Sequence, residues 1–430
     1  MNTYNFKWAI ALMTILLFCC GCTMEMGDSL FALPNLPTEY VQLQQQLDTI
    51  IQSGAEYTYA EEGVDKQAVQ MIDLDGDGRD EVLAFFMTDR SSFRTYLFEY
   101  GIEGYYQVGY IECYGRRLHR VDYPVVDSQG KRAIALSWNY DNTVNYGMTV
   151  SGYDGVSLYT MLETQYTQNL FADIDGNGVD ELFMTEVNSA TGIYTASAYA
   201  LESREYRLFG QTYLDADVRS VVNMQVGKSS DGEFLWYLDC AAMGGGYMTD
   251  VLMLDIALNN LSPSGEDDTR RVLALYSTDI DGDGIIEVPR DSEGRFEWYS
   301  YTSKGRTLES LTYHNLNDGW YIFWPENWSS SVKAERTPSE GVVMTTFYVP
   351  STGGFSGEVR NTLLTVYSFS GDNRDQYYQS YSNIKSLETV GDKIYGFIIV
   401  ENDYPQYAVT TDKIYDSFHL MQSEWTREDN

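Results

Sequence analysis

Three segments of this 430-residue chain repeat one acidic loop, and no other feature limits the fold so tightly. From Met71 the sequence reads MIDLDGDGRDEVLAFF, from Phe171 FADIDGNGVDELFMTE, and from Ser277 STDIDGDGIIEVPRD. The first aspartates, Asp73, Asp173 and Asp279, stand 100 and 106 residues apart. Weaker copies lie midway. Residues 125–136 (VVDSQGKRAIAL) keep Asp127, Gly130 and a following strand, and residues 230–238 (SDGEFLWYL) keep an Asp-Gly turn leading into a strand. Anchors at Asp75, Asp127, Asp175, Asp231 and Asp281 give spacings of 52, 48, 56 and 50 residues. A period near 50 built from short strands means a propeller or an array. In the first unit VLAFFM, RTYLFEY and YYQVGYIE are separated by turn residues, which is the strand content of a blade. No unit carries a long amphipathic helix, which weighs against a parallel βαβ architecture.

The loop pattern Asp-x-Asp-Gly-Asp/Asn-Gly-x-x-Glu places oxygen donors at positions 1, 3, 5 and 9. A hard cation such as Ca²⁺ takes six to eight oxygens, and glycine lets the loop curl until alternate side chains converge. The first loop offers Asp73, Asp75, Asp77 and Glu81, the second Asp173, Asp175, Asn177 and Glu181, the third Asp279, Asp281, Asp283 and Glu287. Position 7, which usually donates a backbone carbonyl, is Arg79, Val179 or Ile285. An EF-hand begins the same way but needs a bidentate Glu at position 12 between two helices. Position 12 is Ala84, Met184 or Arg290, and β-rich runs follow, so an EF-hand is excluded. Metal-free acidic turns are the simpler alternative, at the expense of repulsion among converging carboxylates.

These loops resemble the FG-GAP / VCBS-type repeats of bacterial surface proteins, and they look like the calcium loops in the propeller of integrin α subunits. The resemblance covers residues 57–310. It implies a mainly-β fold: a calcium-loop β-propeller with five recognisable blades, six or seven if the chain before Tyr57 or after Tyr301 completes more. Up to three Ca²⁺ are expected, in a structural role. The second and fourth units depart from the pattern, with Gln129 and Ala133 replacing acids, so those blades are expected to be metal-free.

The N-terminus sets the compartment. Lys7 precedes an apolar run from Trp8 to Phe18, too short for a stable membrane anchor, and the run ends in Cys19-Cys20-Gly21-Cys22. This resembles the lipobox of bacterial lipoproteins, which implies cleavage, lipidation of Cys22 and tethering to the extracytoplasmic face of the cell membrane. An ordinary cleaved signal peptide is the alternative. Residues 1–22 are therefore read as signal peptide and lipobox, and 23–56 as a tether and a single helix. In residues 38–53, Tyr40, Leu43, Leu47, Ile50 and Ile51 recur at helical spacing.

Composition narrows the partners. With 63 Asp+Glu against 28 Lys+Arg the formal net charge is −35. That excludes a general nucleic-acid binder and docking on anionic lipid through basic residues. At 43% hydrophobic and 14% aromatic the chain has the material for cores. Removing Lys7 with the signal peptide makes the charge −36, and three Ca²⁺ would bring it to −30, so calcium explains where acids cluster and not most of the excess. Cys113 and Cys240 are read as buried side chains, not a disulfide framework. His119, His314 and His419 have no zinc or triad motif around them. The basic island Arg116, Arg117, Arg120 reads as counterions to the acidic surface, and Met243-Gly244-Gly245-Gly246-Tyr247 as a wide turn in the fourth unit.

From Leu311 the repeat stops. Residues 313–328 (YHNLNDGWYIFWPENW) combine a turn with an aromatic strand, GVVMTTFYV, TLLTVYSF and KIYGFIIV read as strands, and 375–386 and 412–421 as short helices. Residues 311–430 resemble the small α+β domain that ends many Firmicute surface lipoproteins. The expected function is non-enzymatic binding of a protein or glycan at the cell surface by a monomer. The alternatives are an enzyme of polysaccharide or cell-wall metabolism, or an envelope or sporulation accessory lipoprotein. An acidic pair converging in a cleft outside the three loops would favour the enzyme.

Overall fold

The computed structural model describes residues 38–421 apart from residue 64 and the segments 90–91, 141–142, 256–258, 266–267 and 354–356. The lipobox and tether lie outside the described residues. Among the described residues, helix α1 (Thr38–Gln52) is followed by 27 strands in six antiparallel sheets. The first holds β1 (Glu56–Tyr57), β2 (Val69–Ile72), β3 (Glu81–Asp89), β4 (Ser92–Gly101) and β5 (Gly104–Cys113), with β1 and β2 sharing one edge of β3. The second is the meander β6 (Arg117–Asp122), β7 (Ile134–Asn139), β8 (Tyr146–Tyr153) and β9 (Leu158–Tyr166). The third is β10 (Gln168–Ala172), β11 (Glu181–Val187), β12 (Tyr194–Glu202) and β13 (Glu205–Tyr213). The fourth is β14 (Val218–Lys228), β15 (Phe234–Ala242), β16 (Tyr247–Asp255) and β17 (Asn260–Pro263).

In the fifth sheet the loop precedes β18 (Val288–Ser292), and a bridge from Thr278 to Glu287 stands where the other units have a full first strand. β19 (Arg295–Thr302), β20 (Gly305–Asn315) and β21 (Trp320–Phe323) follow. The sixth sheet holds β22 (Lys333–Ser339), β23 (Val342–Gly353), β24 (Gly357–Phe369), β25 (Lys385–Val390) and β26 (Lys393–Ile399), with α2 (Arg374–Gln379) before β25. Helix α3 (Thr411–Ser417) leads into β27 (Phe418–Leu420), which pairs with β21.

The second strand of each unit explains the stacking. β3, β7, β11 and β15 are buried on both faces along most of their length, as a strand between two neighbouring sheets must be. Their side chains divide by parity. Leu83 and Phe85 cluster with Ile134 and Leu136 of the second sheet, while Val82, Ala84 and Phe86 cluster with Leu43, Leu47 and Ile50 of α1. Ala135 meets Leu182 and Met184 of the third sheet, Phe183 meets Trp236 and Leu238 of the fourth, and Leu235 and Tyr237 meet Val288 and Tyr301 of the fifth. Four-stranded meanders packed face to face in sequence order are the blades of a β-propeller, and α1 covers the outer face of the first.

Two expectations are corrected. The boundary placed between 310 and 311 falls inside β20. Beyond it β21 turns back at Asp318-Gly319 to pair with β20 and takes up β27, so the hydrogen-bond ladder of the fifth sheet outlasts the sequence repeat. The helices expected over 375–386 and 412–421 are shorter. Residues from Lys385 enter β25, and Phe418–Leu420 finds the open edge of β21 in preference to another helical turn.

Candidate metal centres and adjoining clefts

Each strong loop joins the first and second strand positions of its unit and folds in one way. The position-1 carboxylate accepts from the N–H groups at positions 4 and 6: Asp73 from Gly76 at 2.7 Å and Gly78 at 3.0 Å, Asp173 from Gly176 at 2.8 Å and Gly178 at 2.9 Å, Asp279 from Gly282 at 2.7 Å and Gly284 at 2.8 Å. Both positions need left-handed backbone, with φ 76° and 86° at Gly76 and Gly78, which glycine adopts without a Cβ clash. The position-2 side chains, Leu74, Ile174 and Ile280, are buried, and their N–H groups donate to Oε2 of the position-9 glutamates Glu81 (2.7 Å), Glu181 (3.1 Å) and Glu287 (3.0 Å). Sequence spacing did not reveal this anchor. Its only signal is the apolar residue at position 2.

The result is three carboxylate triads: Asp73, Asp75 and Glu81; Asp173, Asp175 and Glu181; Asp279, Asp281 and Glu287. In each, the ligand atoms lie within 4.8 Å of one another. Asp77 and Asp283 of the expected sets stand outside these triads and accept from the N–H of Arg79 and Ile285, both at 2.8 Å; Asn177 accepts from Val179 in the same way at 2.7 Å. Burial pushes Glu81 and Glu181 up to about 7 and Glu287 up to about 8, opposed by the N–H donor and reinforced by the neighbouring aspartates. Oε1 of Glu287 is fully buried and has no partner among the described residues. An orphaned carboxylate oxygen beside two more carboxylates fits a bound hard cation. In the second unit Asp127 instead accepts from the N–H groups of Gln129 (2.9 Å) and Lys131 (3.0 Å), and no triad forms in the second or fourth unit among the described residues.

Two clefts stand out among the described residues, and only the first adjoins this framework. One, of about 550 Å³, lies between the second and third blades and is walled by Asp175, Asn177 and Val179 on one side and by Tyr159, Met161 and Arg204 on others. Arg204 sits in the two-residue turn between Glu202 and Glu205, where Ser203 and Arg204 have φ 50° and 72°. A two-residue turn of the same left-handed kind, between β18 and β19 of the fifth sheet, has Glu293 and Gly294 at φ 52° and 84°. A left-handed arginine there is strained by roughly 1 kcal/mol relative to glycine. Its guanidinium lies 4.9 Å from the Tyr159 ring and its Nη1 is 3.1 Å from Asp154.

The second cleft, about 470 Å³, opens beside the fourth blade at the end away from its 229–233 turn, and Asp215, Asp250 and Tyr213 line it. Oδ2 of Asp250 accepts from the N–H of Asp215 at 2.8 Å, and burial, with the Asp215 charge adding, raises its carboxyl to about 6.

The remaining candidates are packed or paired within the fold. His119 stacks on Tyr146 at 3.9 Å, and Arg117 and Arg120 pair with Glu61 and Asp122 at 2.8 and 2.9 Å. His314 and His419 both stack on Tyr321, and burial lowers His314 to about 3. Cys113 and Cys240 are buried and free, and burial raises both thiols, Cys113 to about 12. No described helix is long and apolar enough to cross a membrane.

No family model matches the chain, and no curated protein matches it. Solved structures similar to it include the β-propeller domain of the Trilobed protease from Pyrococcus furiosus (11% identity, TM-score 0.29, covering 74% of this chain and 93% of that one). The Dos1 propeller is another (10%, 0.32, 83% and 85%), and TolB from Acinetobacter baumannii a third (11%, 0.24, 74% and 79%).

Proposed function

We propose that the chain is a lipid-anchored bacterial surface protein of FG-GAP / VCBS-like type, whose propeller is stapled by calcium and binds a protein or glycan partner without catalysing a reaction. The observation that carries the metal is the threefold recurrence of one triad, closed each time by a buried glutamate. Bound Ca²⁺ supplies positive charge that lets these carboxylates converge. Asp77, Asn177 and Asp283 and the carbonyls of Arg79, Val179 and Ile285 complete the proposed donor sets. Lipidation of Cys22 would place the blades outside the membrane. Calorimetric melting with calcium and with a chelator tests the reading. At calcium a hundredfold above Kd each site adds about 2.7 kcal/mol, so chelation is expected to lower Tm by ~10 °C or more for three sites. An unchanged Tm rejects the calcium staples.

The second cleft favours one other reading, hydrolysis of a polysaccharide. Asp215 and Asp250 are carboxylates converging outside the loops, and Asp250 is held partly protonated near neutrality, as a general acid must be. Asp250→Asn should then abolish release of reducing ends from cell-wall glycan. If the wild-type protein releases none, this reading fails.

A further inference from the structure

We propose that the cleft between the second and third blades binds a carboxylate-bearing sugar, with the Arg204 guanidinium gripping the carboxylate beside the third-blade acidic loop. This rests on the reading of that loop as a calcium site. Two features of the molecule point there.

The first is the placement of Arg204. The turn it occupies is met elsewhere in the fold with glycine at the same position, Gly294, so the backbone alone does not call for arginine. What arginine adds is its side chain, which Tyr159 and Asp154 of the neighbouring blade fix in direction while leaving it 63% exposed. Such a guanidinium presents a planar fork suited to a carboxylate. Among the described residues that line the cleft, Arg204 is the one cation, beside the carboxylates of Asp127, Asp175 and Glu181.

The second feature is shape and lining. A volume of about 550 Å³ falls in the range of small-ligand sites. Asp127, Ser128 and Ser203 offer hydroxyl-matching polar groups beside the apolar side chains of Met161 and Phe209.

The test is calorimetric titration of the full chain with digalacturonate, with neutral galactobiose as control, in calcium and in chelator. Arg204→Gly is the informative variant because glycine suits the turn, so its melting temperature should stay at or above that of the wild type. Saturable digalacturonate binding in calcium is expected, weakened by about tenfold or more in Arg204→Gly and less so in Arg204→Lys, with galactobiose binding poorly. Binding of calcium alone should be the same in all three proteins. Equal digalacturonate affinity in wild type and Arg204→Gly overturns the proposal, as does absence of digalacturonate binding while calcium still binds. If calcium fails to bind, the metal reading falls separately. The cleft is then decided in chelator, where Arg204-dependent binding supports it and no binding overturns it.

Discussion

The position-9 glutamates concentrate the energetic problem of this molecule in three side chains. Glu81, Glu181 and Glu287 are buried in triads that already hold two aspartates each, and one N–H donor apiece does not offset the loss of water. Without metal they are held up at about 7, 7 and 8, against 4.5 for an ordinary glutamate. Between pH 4.5 and these values the folded chain keeps protons that the unfolded chain has released. The unfolded state thus binds fewer protons, and stability falls as pH rises through that window. Each carboxyl contributes a slope of up to about 1.4 kcal/mol per pH unit there. Metal-free protein is expected to lose melting temperature steadily from pH 5 to pH 8, and Glu287→Gln to reduce that loss most between pH 7 and 8. Calcium, which requires the ionised carboxylates, should flatten the profile. A metal-free melting temperature that is level or rising over this range contradicts the assignment.

At the scale of elements, legibility followed burial. The strands packed on both faces announce themselves as unbroken apolar runs, VLAFF and FLWYL among them, because both parities meet another sheet. Helix α1 was legible because Leu43, Leu47 and Ile50 keep helical spacing whatever they pack on. What they pack on, the outer face of β3, was not, since that is set by where the chain places the first blade. β1 and β27 have two and three residues, and no periodicity exists at such lengths. They are strands only because β3 and β21 offer them an edge. The same division holds in the candidate sites. Positions 1, 3 and 9 of each loop are local and were readable from spacing. Asp77 and Asp283 were read as ligands on the same ground; each accepts an N–H of its own loop through Oδ1, as the position-1 aspartates also accept loop N–H groups. The clefts lined by Arg204 and by Asp250 join residues from separate strands and left no pattern in the sequence.

At the scale of the whole molecule, one turn carries an ion pair between the propeller and the sixth sheet. Asp318, buried between β20 and β21, accepts from Arg336 of β22 through both carboxylate oxygens, at 2.9 and 3.1 Å, and from Asn315 at 2.6 Å. Its carbonyl accepts from Tyr395 of β26 at 2.7 Å and from Lys393 at 3.2 Å. Around it Trp320, Ile322 and Phe418 pack with Phe347, Leu364 and Phe397 of the sixth sheet in one core. The apolar contact gives adhesion, and the ion pair fixes its registration. Asp318→Ala leaves the Arg336 guanidinium, about one-third exposed, without its carboxylate, a loss of roughly 2–3 kcal/mol for a charged hydrogen-bonded pair. The backbone carbonyl contacts survive the substitution, so the fold itself should persist. Calorimetry is expected to show the coupled transition of the wild type split, with the sixth sheet melting ahead of the blades and only the later transition responding to chelator. Asp318→Asn, which keeps acceptor and shape, should lie between. If Asp318→Ala melts as one transition at the wild-type temperature, the turn does not couple the two parts, and the shared aromatic core alone holds them.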